Sequence, residues 1–132
     1  NRGSRIVNLA SAAAFAPQPG SAVYGATKSY VLSFSRALGR ELADRMIFVT
    51  AVCPGPVETD FFRTAGEPAG KARQKLMAQP GKVVHRALAD VRRRRSVSVY
   101  GAAMKGARTA AKLARDRLTD WFMDKMNTRS LT

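Results

Sequence analysis

Met46-Ile47-Phe48-Val49-Thr50-Ala51-Val52 is an apolar run rich in β-branched and aromatic side chains, and Pro54-Gly55-Pro56 stops it abruptly. A short apolar run bounded by turn residues predicts a buried strand. Upstream, Ser21 to about Asp44 carries Val23, Ala26, Tyr30, Phe34, Ala37 and Leu38 at mostly three- and four-residue spacings. That pattern predicts a helix with Ser21 at its amino-terminal cap. Further upstream, Ile6-Val7-Asn8-Leu9 follows the turn signal Gly3-Ser4 and predicts a second buried strand. The small residues from Ala10 to Ala14 and the run Pro17-Gln18-Pro19-Gly20 predict a loop between strand and helix. Strand, long helix and strand in this order make a βαβ unit, with parallel strands and a right-handed crossover. Ligands of open parallel sheets bind beyond the carboxyl ends of the strands, so the loops Ala10–Gly20 and Cys53–Asp60 mark the functional end.

Downstream the pattern is looser. Residues 61–79 mix Gly, Pro and Lys with weak periodicity and read as a mobile or partly helical insertion. Gly81–Val91 is a predicted helix, and Ser96–Tyr100 a short strand closed by Gly101. From Met104 to Met126 a helix would carry Met104, Ala107, Ala111, Ala114, Leu118 and Trp121 or Phe122 on one face. Lys105, Arg108, Lys112 and Arg115 form the neighbouring stripe, an amphipathic pattern.

The chain has 132 residues, 45% of them hydrophobic, which suits one compact domain with a core of its own. Cys53 is the single cysteine, so no internal disulfide framework exists; this fits a reducing, cytoplasmic setting. No stretch approaches the roughly 18 consecutive apolar residues of a membrane span, and no basic lead with an apolar run marks a secretory signal. The net charge of +14 is unevenly placed. Residues 1–62 carry 6 Lys+Arg against 4 Asp+Glu, and residues 63–132 carry 17 against 5. A basic surface of this kind attracts nucleic acid, anionic lipid or anionic substrates, but the charge reads first as a solvated basic face in a high-arginine proteome.

The chemistry concentrates at Ser11, Tyr24 and Lys28. Tyr24 and Lys28 are four apart on the predicted helix, so they share one face and their heads can meet. A lysine ammonium beside a phenol favours the phenolate, lowering a pKa that begins near ~10, which suits a tyrosine that shuttles protons near neutrality. Ser11 lies just beyond the first strand, where its hydroxyl could polarise a carbonyl oxygen.

The run Arg5-Ile6-Val7-Asn8-Leu9-Ala10-Ser11, the step from there to Tyr24-Gly25-Ala26-Thr27-Lys28, and Val49-Thr50-Ala51-Val52-Cys53-Pro54-Gly55-Pro56-Val57-Glu58-Thr59 together resemble the short-chain dehydrogenase/reductase family. The resemblance implies an α/β fold, the carboxy-terminal part of a doubly wound, Rossmann-like parallel sheet. It implies hydride transfer between NAD or NADP and a carbonyl or alcohol substrate. Tyr24 would be the general acid/base, Lys28 would lower its pKa and hydrogen-bond the nicotinamide ribose, and Ser11 would polarise the substrate oxygen. The backbone of Pro54, Gly55 and Val57, with the Thr59 hydroxyl, would contact the nicotinamide end of the cofactor. Residues 1–60 then form the catalytic βαβ segment, 61–79 a variable substrate-side segment, and 80–132 a terminal helix-strand-helix of one partial domain.

The family's glycine-rich phosphate loop has no counterpart here, nor do its Asn-Asn-Ala-Gly segment and relay asparagine, and Asn8 matches neither position. The amino-terminal cofactor-binding half is therefore expected upstream of Asn1, with the residue that separates NAD from NADP. This fragment alone is expected to be inactive. Two other readings stand beside the enzyme: a truncated inactive remnant, and a basic module that associates with membrane or nucleic acid. Expected partners are a small carbonyl or alcohol substrate, with a lean towards lipid-like ones from the long tail, and a second copy of the chain. A specific nucleic acid is not expected, because no nucleic-acid module accompanies the charge. The arginine run 92–95 could touch nucleic acid or a lipid headgroup but reads first as a solvated turn, and the terminal amphipathic helix could lie on a membrane but by default packs against the sheet or a partner subunit. His85 lacks a second ligand pattern, so no metal site is expected, and Cys53 reads as a buried structural thiol.

Overall fold

The computed structural model describes residues 1–60, 64, 66 and 77–114. Its centre is a parallel sheet of β1 (Arg5–Leu9), β2 (Phe48–Val52) and β3 (Val97–Ser98), in the order β1-β2-β3. Helices α1 (Ala22–Glu41), α2 (Pro80–Arg92) and α3 (Ala102–Ala114) complete it. The expected βαβ unit is β1-α1-β2, with Arg5 opposite Phe48 and Leu9 opposite Val52. β3 extends the sheet on the other side of β2, pairing Ala51 with Val97 and Val52 with Ser98.

Alternation along the strands sends successive side chains to opposite faces. On one face α1 packs closely: Asn8 Nδ2 donates to Ser35 Oγ at 3.0 Å, and the Ser35 hydroxyl donates to Val31 O at 2.6 Å. Ala10, Ala51, Cys53, Val97 and Val99 form the core there, with Phe15, Val31, Leu32 and Met104 packed against it. On the other face α2 buries Val83, Ala87, Asp90 and Val91, one stripe at helical spacing. Pro80 opens α2 at a position whose N–H would be unpaired anyway.

Asp90 is 1% exposed and must find compensation there. Its Oδ2 accepts from Arg86 Nε and from Ser98 Oγ, each at 2.9 Å, and Arg95 Nε lies 3.4 Å from Oδ1. Thr50 Oγ1 donates to Arg95 O at 2.8 Å. These bonds clamp α2 to β2 and β3.

Several expectations change. Among the described residues β1 pairs only with β2 and is not buried: Val7 and Leu9 are 50% and 64% exposed, with α2 lying over β2 and β3. Met46 and Ile47 fall outside β2, since a 3-10 turn at Ala43–Arg45 ends in a left-handed Met46 (φ 55°) that reverses the chain. Ser21 stands at the cap of α1 but makes no side-chain cap bond, and its carbonyl accepts from Gly25 N instead. The predicted loop after β1 contains a 3-10 turn, Ala12–Phe15. The last strand shortens to Val97–Ser98, since it pairs with β2 alone. α3 begins at Ala102, while Leu118, Trp121, Phe122 and most of 61–79 lie outside the described residues.

Candidate active site

The carboxyl ends of β1 and β2 are tied together by backbone bonds. Ala10 N donates to Val52 O and Ala12 N to Pro54 O, each at 2.8 Å, so the segment after Ser11 runs beside the Pro54-Gly55 exit. Ser11 caps the 3-10 turn, its Oγ accepting from Ala13 N at 3.1 Å. That bond uses an oxygen lone pair and leaves the hydroxyl hydrogen for another acceptor.

α1 returns over this end. Its residue Lys28 donates from Nζ to Leu9 O at 3.1 Å, two residues before Ser11, and the same Nζ sits 5.7 Å from the Tyr24 ring centroid. One turn of helix therefore brings the ammonium to the last carbonyl of β1 with the phenol ring on the same side of the helix. Tyr24 and Lys28 are both half-buried.

Gly25 explains the approach. A Cβ there would crowd Gln18 Cγ and Cβ at 3.2 and 3.3 Å, while Ala13 O at 3.8 Å is in ordinary contact, so glycine lets α1 seat closely against the loop at Gln18. Ser29 Oγ reinforces the contact by donating to Ala14 O at 3.3 Å. Sequence reading passed over Gly25, although a glycine inside a helix costs about 1 kcal/mol against alanine and so signals a packing reason.

Beyond β2 the exit loop is held from its far side. Val57 bridges Ala78, with Glu58 N donating to Ala78 O at 3.0 Å and Ala78 N to Pro56 O at 2.9 Å. Thr59 is exposed at the end of this loop. A Cβ on Gly55 would come within 2.7 Å of both Cγ and Sδ of Met104, so α3 rests directly on the exit. An open cleft of about 430 Å³ lies behind it, lined by Gly55, Pro56, Glu58, Lys82, Tyr100 and Met104 among others. Ser11, Tyr24 and Lys28 do not line this cleft.

Cys53 sits between these loops with no exposure. Burial pushes its thiol up to about 11, against the opposing pull of Arg108 and of a backbone hydrogen bond from Ser11. A thiol so placed stays protonated and unreactive at neutral pH. Among the described residues no three His, Cys, Asp or Glu side chains gather as a metal set.

Comparison with known proteins places this geometry. Residues 1–70 match the family described as short chain dehydrogenase. Sulfoacetaldehyde reductase 2 of Chromohalobacter salexigens is 46% identical over 69 residues, 51% of this chain and 27% of that protein. A short-chain dehydrogenase from Sphingobium yanoikuyae, solved in complex with NADPH, superposes with a TM-score of 0.70 at 32% identity, covering 88% of this chain and 44% of that one. One from Mycobacterium paratuberculosis, bound to NAD, gives 0.56 at 26% identity, covering 73% of this chain and 42% of that one. The chain thus spans less than half the length of each of these proteins. The family match covers more than half of this sequence and contains both strand exits and the helix between them, and the chain belongs to the short-chain dehydrogenase family.

Proposed function

We propose that this chain carries the catalytic residues of an NAD(P)-dependent oxidoreductase that interconverts a carbonyl and an alcohol, with Tyr24 as the general acid/base. The observation that carries the reading is Lys28. Its ammonium spends one of three N–H donors on Leu9 O and lies within 5.7 Å of the Tyr24 ring, leaving two donors at the mouth of the β1 exit. Those donors suit a ribose hydroxyl and the phenol oxygen, so the groups present fit the nicotinamide-ribose end of a dinucleotide. Pro54, Gly55, Val57 and Thr59, on the adjoining exit, would line the nicotinamide itself. The dinucleotide, when bound, supplies or accepts the hydride.

In the reductive direction Tyr24 gives its phenolic proton to the substrate oxygen as the carbon gains the hydride. Lys28 holds positive charge beside the phenolate that remains. Ser11 donates its hydroxyl hydrogen to the same substrate oxygen, its own lone pair being oriented by Ala13 N–H. The described residues include no glycine-rich phosphate loop, so the pyrophosphate end would be held by other groups of a longer polypeptide. NAD and NADP both remain compatible with these residues. The exposed face of α1, where Tyr30 and Phe34 stack at 5.9 Å, is the surface proposed for a second copy. No helix of the described residues is long and apolar enough to cross a membrane, and a cytoplasmic setting is proposed.

The test uses a full-length polypeptide that contains this chain, assayed with NADH and NADPH against aldehydes, ketones and 3-oxoacyl thioesters. Replacing Tyr24 with Phe is expected to lower kcat at least about 100-fold, the usual share of a general acid. A folded, cofactor-binding protein that reduces none of these substrates, or one indifferent to Tyr24→Phe, overturns the reading.

A further inference from the structure

The end of the sheet opposite Tyr24 and Lys28 is built from three segments, residues 1–5, 43–48 and 92–96. They contain seven arginines, no lysine and one acid, Asp44. In sequence the run 92–95 is an isolated turn, but in the structure it joins the other two segments. Gly3 N donates to Met46 O at 2.8 Å and Phe48 N to Ser4 O at 3.0 Å. Arg5 is the register partner of Phe48, and the Arg94 guanidinium lies 4.5 Å over the Phe48 ring. Neighbouring parallel strands are about 4.8 Å apart, so the three segments form one continuous platform.

Helix ends account for part of this charge. Arg92 closes the last turn of α2, where a cation complements the helix dipole. Arg94 is held by Phe48, and Arg95 reaches Asp90 while its side chain stays 56% exposed. Arg45 likewise closes the 3-10 turn Ala43–Arg45, but neither cause applies to Arg2 or Arg5, and none of Arg2, Arg5, Arg45, Arg92 and Arg93 makes an ion pair with a described residue. All are exposed. Gathering like charges without acids is unfavourable unless an anion is met. The exclusive use of arginine indicates which anion, since its planar fork binds phosphate oxygens in pairs where lysine offers only a point charge.

We propose that this arginine platform docks the protein on a membrane carrying anionic phospholipid headgroups. The surface spans three side-by-side segments rather than a groove, which suits a bilayer. Met46, 43% exposed and held outward by its left-handed backbone, supplies an apolar contact amid the charge. The platform's aromatic ring, Phe48, is covered by Arg94 and unavailable for stacking on bases, which disfavours single-stranded nucleic acid. Docked this way, the strand ends that carry Ser11, Tyr24 and Lys28 face the solvent. Each arginine near such a surface contributes modestly, and the sum disappears once salt shortens the screening length.

Flotation of the purified chain with phosphatidylcholine vesicles, with and without about 30 mol% phosphatidylserine, measures the association. Binding is expected only with the anionic lipid, and is expected to fall away between about 0.05 M and about 0.5 M salt. The double variant Arg2→Glu/Arg5→Glu changes exposed side chains that close no helix and make no ion pair with a described residue, and should weaken partition at least about tenfold. Lys105→Glu/Lys112→Glu, an equal change of charge on α3, should weaken it far less. Three results would each overturn the proposal: no binding to anionic vesicles at low salt, equal losses from the two double variants, or tighter binding to DNA than to vesicles at matched salt. None of these readouts depends on catalysis.

Discussion

Cys53 shows how far a single residue's role depends on its surroundings. Its ordinary thiol value is 9.0, and burial raises it to about 11. Between those values the unfolded chain gives up a proton that the native state keeps, so the native state binds more protons and stability falls as pH rises through that window. The loss approaches about 1.4 kcal/mol for each pH interval of one. Denaturant melts of the wild type and of Cys53→Ala at increasing pH should therefore diverge, the wild type losing stability more steeply above about pH 9. Parallel profiles would mean that the thiol ionises as freely in the fold as outside it. Tyr24 and Lys28 needed no such context, because spacing on one helix already places them on one face. Ser11 is different. Its order in the chain was legible, whereas its capping bond to Ala13 arises only because the following residues coil into a 3-10 turn.

The element with the widest reach is α3. It rests on the Ala12–Phe15 turn that follows Ser11 and, through Met104, on Gly55 of the β2 exit, so one helix steadies both loops at the candidate active site. A methyl group at Gly55 would press on Met104 at 2.7 Å. Gly55→Ala should destabilise the chain by about 1–3 kcal/mol, the usual range for overpacking. Adding Met104→Ala should recover part of that loss, with a coupling of at least about 0.5 kcal/mol in a denaturation cycle. Strictly additive effects would show that the helix does not bear on the exit. The pattern 104, 107, 111 marked α3 as amphipathic, but not what its apolar face would cover. That required the loops it meets, which are far away in sequence. Likewise α1 followed from periodicity, while the glycine that allows its close seating acquired its meaning from Gln18.

For the whole molecule the decisive feature is asymmetry of the sheet. Among the described residues β2 is flanked on both sides and Val49 to Val52 are buried, whereas β1 has one neighbour and exposes Val7 and Leu9. Such an edge invites another strand, and a charge placed on it discourages pairing. The purified chain should self-associate with rising concentration in sedimentation velocity. Val7→Lys should suppress that association with little change in melting temperature, since Val7 is already half-exposed. If Val7→Lys leaves the association unchanged, contact is made elsewhere, the outer face of α1 being the next surface to test.

The amino-acid sequence by itself determined the βαβ order and the parallel sense of its strands, and it pointed to Ser11, Tyr24 and Lys28 as the proposed catalytic set, because periodicity, turn chemistry and spacing are local. It also determined a surplus of arginine. Only the tertiary structure decided that α2 would lie over β2 and β3, that Asp90 would be buried against Arg86 and Ser98, and that three arginine-bearing segments would share one end of the sheet. Those outcomes depend on which strands pair and which helix covers them, contacts between residues tens of positions apart that no local pattern records.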